Sequence, residues 1–85
     1  MMTPDEIAEI NPEALLCDGF DDAIIGLAER PNLGPVVAYS VSKMLEVMVT
    51  RDGMTYEEAM EYLDFNVLCA WHGEYTPIYI TTNED

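Results

Sequence analysis

Three carboxylates fall within five residues at Asp18-Gly19-Phe20-Asp21-Asp22, and a thiol and an imidazole stand three apart at Cys69 and His72. Asp18, Asp21 and Asp22 are close enough to share a cation. Asp-Gly is equally a turn signal, so the same residues read as an Asx-rich turn. A calcium loop of the EF-hand kind spreads its oxygen ligands over about 12 residues and ends on a glutamate. Those positions are not filled, and no metal site is expected. Cys69 and His72 would share one helical face and supply two ligands of a zinc site, but zinc takes four and Cys17 is the only other thiol. As nucleophile and base they would be poorly placed on one helix, with no acid to orient the imidazole. The expectation is therefore a buried cysteine, and a histidine in a last helical turn where the dipole favours it. There is no GxSxG, P-loop or GxGxxG motif. We expect neither an enzyme nor a cofactor.

Charge is the outlying property. Seventeen acids face three bases in 85 residues, for a formal net charge of -14. Residues 1–22 carry seven acids and no base, residues 54–85 carry seven acids and no base, and Arg30, Lys43 and Arg51 all lie in the neutral middle. Such a field repels nucleic acid and anionic membranes and favours a basic protein surface. No apolar run approaches the ~20 residues of a membrane span. The start, MMTPDEIAEI, has no basic n-region. With two cysteines and no CxxC, a reducing cytosolic compartment with free thiols in or near the core is expected.

These residues must be held by a single small domain. A hydrophobic fraction of 49% is too high for a disordered acidic tail. The best-marked element runs from Thr55 to His72. Thr55 and Glu58 make a capping box, and apolar residues recur at Tyr56, Ala59, Met60, Leu63, Val67, Ala70 and Trp71. Glu57, Glu61 and Asp64 fall on the outer side, and Gly73 is the stop signal. A second helical period covers Val41, Met44, Leu45, Met48 and Val49, with Ser40 as N-cap (Ser42 as the alternative) and Asp52-Gly53 as its end. Only Met54 separates Gly53 from Thr55, so the two helices form an antiparallel hairpin. Met44, Met48, Met54 and Met60 read as core, although a methionine-rich groove would suit an adaptable interface. Thr3-Pro4-Asp5-Glu6 starts a short helix that Asn11-Pro12 breaks, within an N-terminal helical segment of residues 1–14. Residues 13–17 are a helical turn or an extended piece.

Strands are expected at Ala23–Glu29, Pro35–Tyr39 and Tyr75–Thr82, followed by a flexible tail at Asn83–Asp85. The fold class is α+β, two-layer: a ββααβ core with a small, mainly antiparallel three-stranded sheet on a helix hairpin. Counting traverses makes strand three antiparallel to strand two. We place the helices on the face of Ile25 and Leu27. That leaves Ile24, Val37, Tyr39 and Tyr79 as an apolar patch, covered either by residues 5–17 or by a second copy in a homodimer.

The ordered series CDGFDDAIIG, PVVAYSVSKMLEVM and DGMTYEEAMEYLDFNVLCAWHGEYTPIYI resembles a family of small, uncharacterised proteins encoded by bacteriophages, over about residues 15–80. DGFDDAIIG and GMTYEEAMEYLDFN are its most specific parts. The resemblance implies a phage origin and assigns no site residues. The resulting expectation is a non-enzymatic protein that binds a basic protein surface in the host cytoplasm. Its contact residues would be Asp18, Asp21, Asp22, Glu57, Glu61 and Asp64. A self-associating accessory domain and a small ligand- or metal-binding protein are the alternatives.

Overall fold

The computed structural model describes residues 2–82, so the tail expected at Asn83–Asp85 lies outside the described residues. It is an α+β fold. Helix α1 (Pro4–Ile10) is followed by a 3-10 turn at Asp21–Ala23 and then by strands β1 (Ile24–Arg30) and β2 (Leu33–Ser40). Helices α2 (Val41–Asp52) and α3 (Tyr56–Leu63) come next, then a π-helical turn at Asp64–Leu68 and strand β3 (Ile78–Ile80).

Local chemistry explains the boundaries. In α1, the Thr3 hydroxyl accepts from the Glu6 N–H at 3.2 Å and the Glu6 carboxylate accepts from the Thr3 N–H at 2.9 Å, with Pro4 at the first helical position. Ser40 caps α2 by accepting from the Lys43 N–H, and Gly53 ends it in the left-handed region at φ 70°. Thr55 and Glu58 close the capping box of α3 at 3.1 and 2.8 Å. Thr55→Ala is expected to cost about 1 kcal/mol, read as a lower urea midpoint at unchanged slope. No change in midpoint would mean that the box adds nothing to the fold.

The sheet order is β1-β2-β3. The β1–β2 hairpin turns at Pro31-Asn32, where Asn32 takes φ 61°, a tighter connection than the five-residue loop expected from the sequence. Strand three is parallel to β2, pairing Ala38 with Ile78 and Ser40 with Ile80, which corrects the antiparallel orientation expected from counting traverses. The cause lies in the preceding segment. The long helix expected through His72 ends at Leu68, and residues 69–77 cross back to the hairpin end of the sheet. There the Arg30 guanidinium donates to the Glu74 carbonyl at 2.6 Å, and the Leu15 N–H to the Tyr75 carbonyl at 3.2 Å. The extra crossing reverses the parity. The strand is also shorter than the eight residues expected, at three.

The layers are also exchanged relative to the expected faces. Ile24, Val37 and Tyr39 are buried in one core with Met44, Leu45 and Met48 of α2, Ala59 and Leu63 of α3, Ile7 of α1, and Phe20. The helices therefore lie on the Ile24/Val37/Tyr39 face, together with the N-terminal segment. Ile25 is 52% exposed, while Leu27 packs against the core. A bulge between Ile24 and Gly26 is the reason: it puts Ile24 and Leu27, three residues apart, on one side and breaks the period of two. Burial removes Ile24, Val37 and Tyr39 from the surface, so the self-association patch proposed from them and Tyr79 is not available to a second copy. Asn11, buried before Pro12, ties the N-terminal segment down by donating to the Pro35 carbonyl at 2.8 Å and accepting from the Glu13 N–H. No helix among the described residues is long and apolar enough to cross a membrane.

Candidate interaction surfaces

The Asp18–Asp22 loop is held against the end of α2 by one cation. Gly19 takes φ +84°, which an L side chain rarely adopts, and its carbonyl accepts from Nη1 of Arg51. The same guanidinium lies 5.5 Å from the Phe20 ring centroid and pairs with Asp52 at 2.8 Å. That bond holds the Asp52 carboxyl below its ordinary range. Arg51 stands in the last turn of α2, where a cation suits the helix dipole, and is in addition the clamp that fixes the loop. Asp18, Asp21 and Asp22 stay exposed. Asp22 borders a shallow groove with Lys43, Glu46, Val47 and Thr50. Among the described residues, no three His, Cys, Asp or Glu side chains converge to hold a metal ion.

Glu57, Glu61 and Asp64 are likewise exposed, one turn apart on the outer side of α3. Beside them runs a groove between α2 and α3. One part of it, about 460 Å³, is lined by Ser42, Lys43, Leu45, Glu46, Val49 and Tyr56. The other part, about 210 Å³, shares Ser42, Leu45 and Tyr56 and continues past Met60, Leu63 and Asp64 to Leu68 and Thr81. The two parts form one trough with an apolar floor. Glu46 stands on its α2 side, and Asp64 on its α3 side. Tyr56 and Met60 were assigned to the buried stripe but are exposed here. A helix hairpin lying on a sheet buries only the sides that face down and inward, so the upper edge of each apolar stripe stays open. The i, i+4, i+8 row Tyr56-Met60-Asp64, apolar grading into acidic, is the sequence signal for that edge.

A third cluster lies where the N-terminal segment meets the sheet. The Tyr39 hydroxyl accepts from the Cys17 N–H at 2.7 Å, the Tyr79 hydroxyl lies 3.2 Å from Sγ of Cys17, and the two rings stack with centroids 6.0 Å apart. Burial pushes the Cys17 thiol up, against the lowering effect of the two tyrosine hydroxyls. Burial likewise raises Tyr39 to about 12. A thiol raised by burial is a weak nucleophile, so this cluster reads as packing.

Comparison of the chain with protein-family models, with curated proteins and with solved structures finds no match.

Cys69 and His72 do not form the helical pair expected. The helix ends before them, both are exposed, and Cys69 is not the buried thiol predicted. The His72 N–H donates to the Thr76 hydroxyl at 2.7 Å, which in turn donates to the Gly73 carbonyl, making a turn of its own. Trp71, expected to anchor the helix on the sheet, is 74% exposed, and Phe65 is 80% exposed. The π-helical turn at Asp64–Leu68 rotates the residues after it off the buried stripe.

Proposed function

We propose that this protein is a small, acidic, non-enzymatic binding factor of bacteriophage origin that docks on a basic surface of a host or phage protein. The observation that supports this is where the cations go. Arg30 donates to the carbonyls of Gly34 and Glu74, and Arg51 to that of Gly19. Arg30 is thus turned to the backbone rather than to the acids, Arg51 divides between the Gly19 carbonyl and its neighbour Asp52, and Arg51–Asp52 is the single ion pair among the described residues. The acids of α3 and of the Asp18–Asp22 loop face solvent with their charge unneutralised. The motif resemblance to phage proteins supports a host-cell setting for the partner.

Capture from bacterial host lysate at about 0.1 M and about 1 M salt tests the reading, because the screening length falls from ~10 Å to ~3 Å over that range. A partner retained at low salt, released at high salt and weakened at least tenfold by Glu57→Lys/Glu61→Lys/Asp64→Lys is the expected result. Retention at both salts, or indifference to the charge reversal, would sink it. A second reading, a self-associating domain, is favoured by the exposed Ile25, Ile78 and Ile80. Sedimentation of the purified protein as a dimer at micromolar concentration, with no captured partner, would select it instead.

A further inference from the structure

We propose that the trough between α2 and α3 is the seat of that partner, and that its occupant is a cationic amphipathic helix. The inference rests on the binding reading above and names the surface and the kind of segment it takes. The floor is apolar and open: Val49, Tyr56, Met60 and Leu68 are exposed above the buried Val41, Leu45 and Leu63. Such a floor calls for apolar side chains recurring at i, i+3, i+4 and i+7. The walls are acidic, Glu46 on one side and Asp64 on the other, with Glu57 and Glu61 beside Asp64 on the outer side of α3. They call for lysines or arginines flanking the apolar stripe. Lys43 lines the same part as Glu46 and offsets one of these charges.

The backbone argues for a helix over an extended segment. Over most of its length the trough is walled by α2 and α3, whose N–H and C=O groups are bonded within themselves, so an extended chain finds a strand to pair with only near the Thr81 end. A helix brings its own backbone bonds satisfied. Met60, on the floor of the α3 part, can repack around different side chains, which suits a contact made by shape and charge.

The test uses the full chain and two synthetic peptides of about 18 residues, roughly 27 Å as helices. One carries leucines on a single helical face and lysines elsewhere. The other has the same composition, scrambled so that no apolar face forms. Affinity is read by fluorescence anisotropy at low salt, and the contact surface by amide shift changes. The amphipathic peptide is expected to bind at least tenfold more tightly than its scramble, with shifts at Val49, Tyr56 and Met60. Val49→Ser/Met60→Ser is expected to erase that tenfold advantage while leaving the scrambled peptide's affinity unchanged. Equal affinity for both peptides, or shifts confined to Asp18–Asp22, would overturn the trough as the seat and leave the acidic binding reading standing. Failure to bind either peptide at low salt would overturn both.

Discussion

Tyr39→Ala is expected to leave the protein largely unfolded. An 85-residue domain has a net stability of about 4–13 kcal/mol. Tyr39 is fully buried at the crossing of α2, the sheet and the N-terminal segment. Truncating a buried aromatic side chain costs about 3–5 kcal/mol. Removing its hydroxyl also leaves the Cys17 N–H without its acceptor, which costs about 1–3 kcal/mol more where that group stays buried. The sum takes most of the stability available. Tyr39→Phe separates the two contributions: the ring stays, the hydroxyl goes, and the loss should be only about 1–3 kcal/mol. Urea unfolding followed by far-UV circular dichroism reads both. A Tyr39→Ala midpoint displaced by less than about 1 kcal/mol would refute the central role given to this side chain. The sign of the alkaline response follows from the same site. Folding raises Tyr39 from 10.0 to about 12, so the native state holds that proton more tightly than the unfolded chain. The added stability is fully present below pH 10 and is lost as pH climbs through 12.

Arg30→Ala is expected to cost about 2–3 kcal/mol, far more than an ordinary surface substitution. Its guanidinium donates twice to the Gly34 carbonyl, at 3.0 and 2.7 Å, and once to the Glu74 carbonyl at 2.6 Å, while lying 5.7 Å from the Tyr75 ring centroid. One side chain therefore joins the hairpin end of β2 to the segment that delivers β3. Arg30→Lys is the sharper variant. An ammonium keeps the charge but lacks the planar fork that reaches two carbonyls at once, so it should recover less than half of the loss. Full recovery by lysine would show that charge alone mattered. Hydrogen exchange should report the loss first at Tyr79, because β3 depends on this tie.

The local signals in the sequence translated directly into structure. Thr3, Ser40 and Thr55 cap the helices they were assigned to, and Gly53 ends α2, because capping depends on residues within one turn. The α+β class and the helix hairpin follow from periodicity and from the single residue between Gly53 and Thr55. Non-local features were not legible. The bulge at Ile24–Gly26 is a choice made against the facing strand, and it puts both Ile24 and Leu27 on the side of the helices. The end of α3 was misplaced because Val67, Ala70 and Trp71 continue a helical period that the π-helical turn interrupts. The exposed acids of α3 and of the Asp18–Asp22 loop were conspicuous in the sequence because of their number. The trough beside them was not, since Tyr56 and Met60 look like core residues until the helices are placed side by side.

The parallel pairing of β3 also biases the order of assembly. The β1–β2 hairpin joins Arg30 to Leu33, whereas β3 meets β2 through Ala38 and Ile78, forty residues apart in the chain. Closing a loop that long costs entropy before any contact repays it, which favours the hairpin and the two helices forming first and giving β3 a surface to land on. The N-terminal segment spans both stages, since Asn11 and Cys17 bond to Pro35 and Tyr39 of the hairpin while Leu15 bonds to Tyr75. A ribosome that has released residues 1–60 therefore holds a chain whose sheet still lacks its last strand.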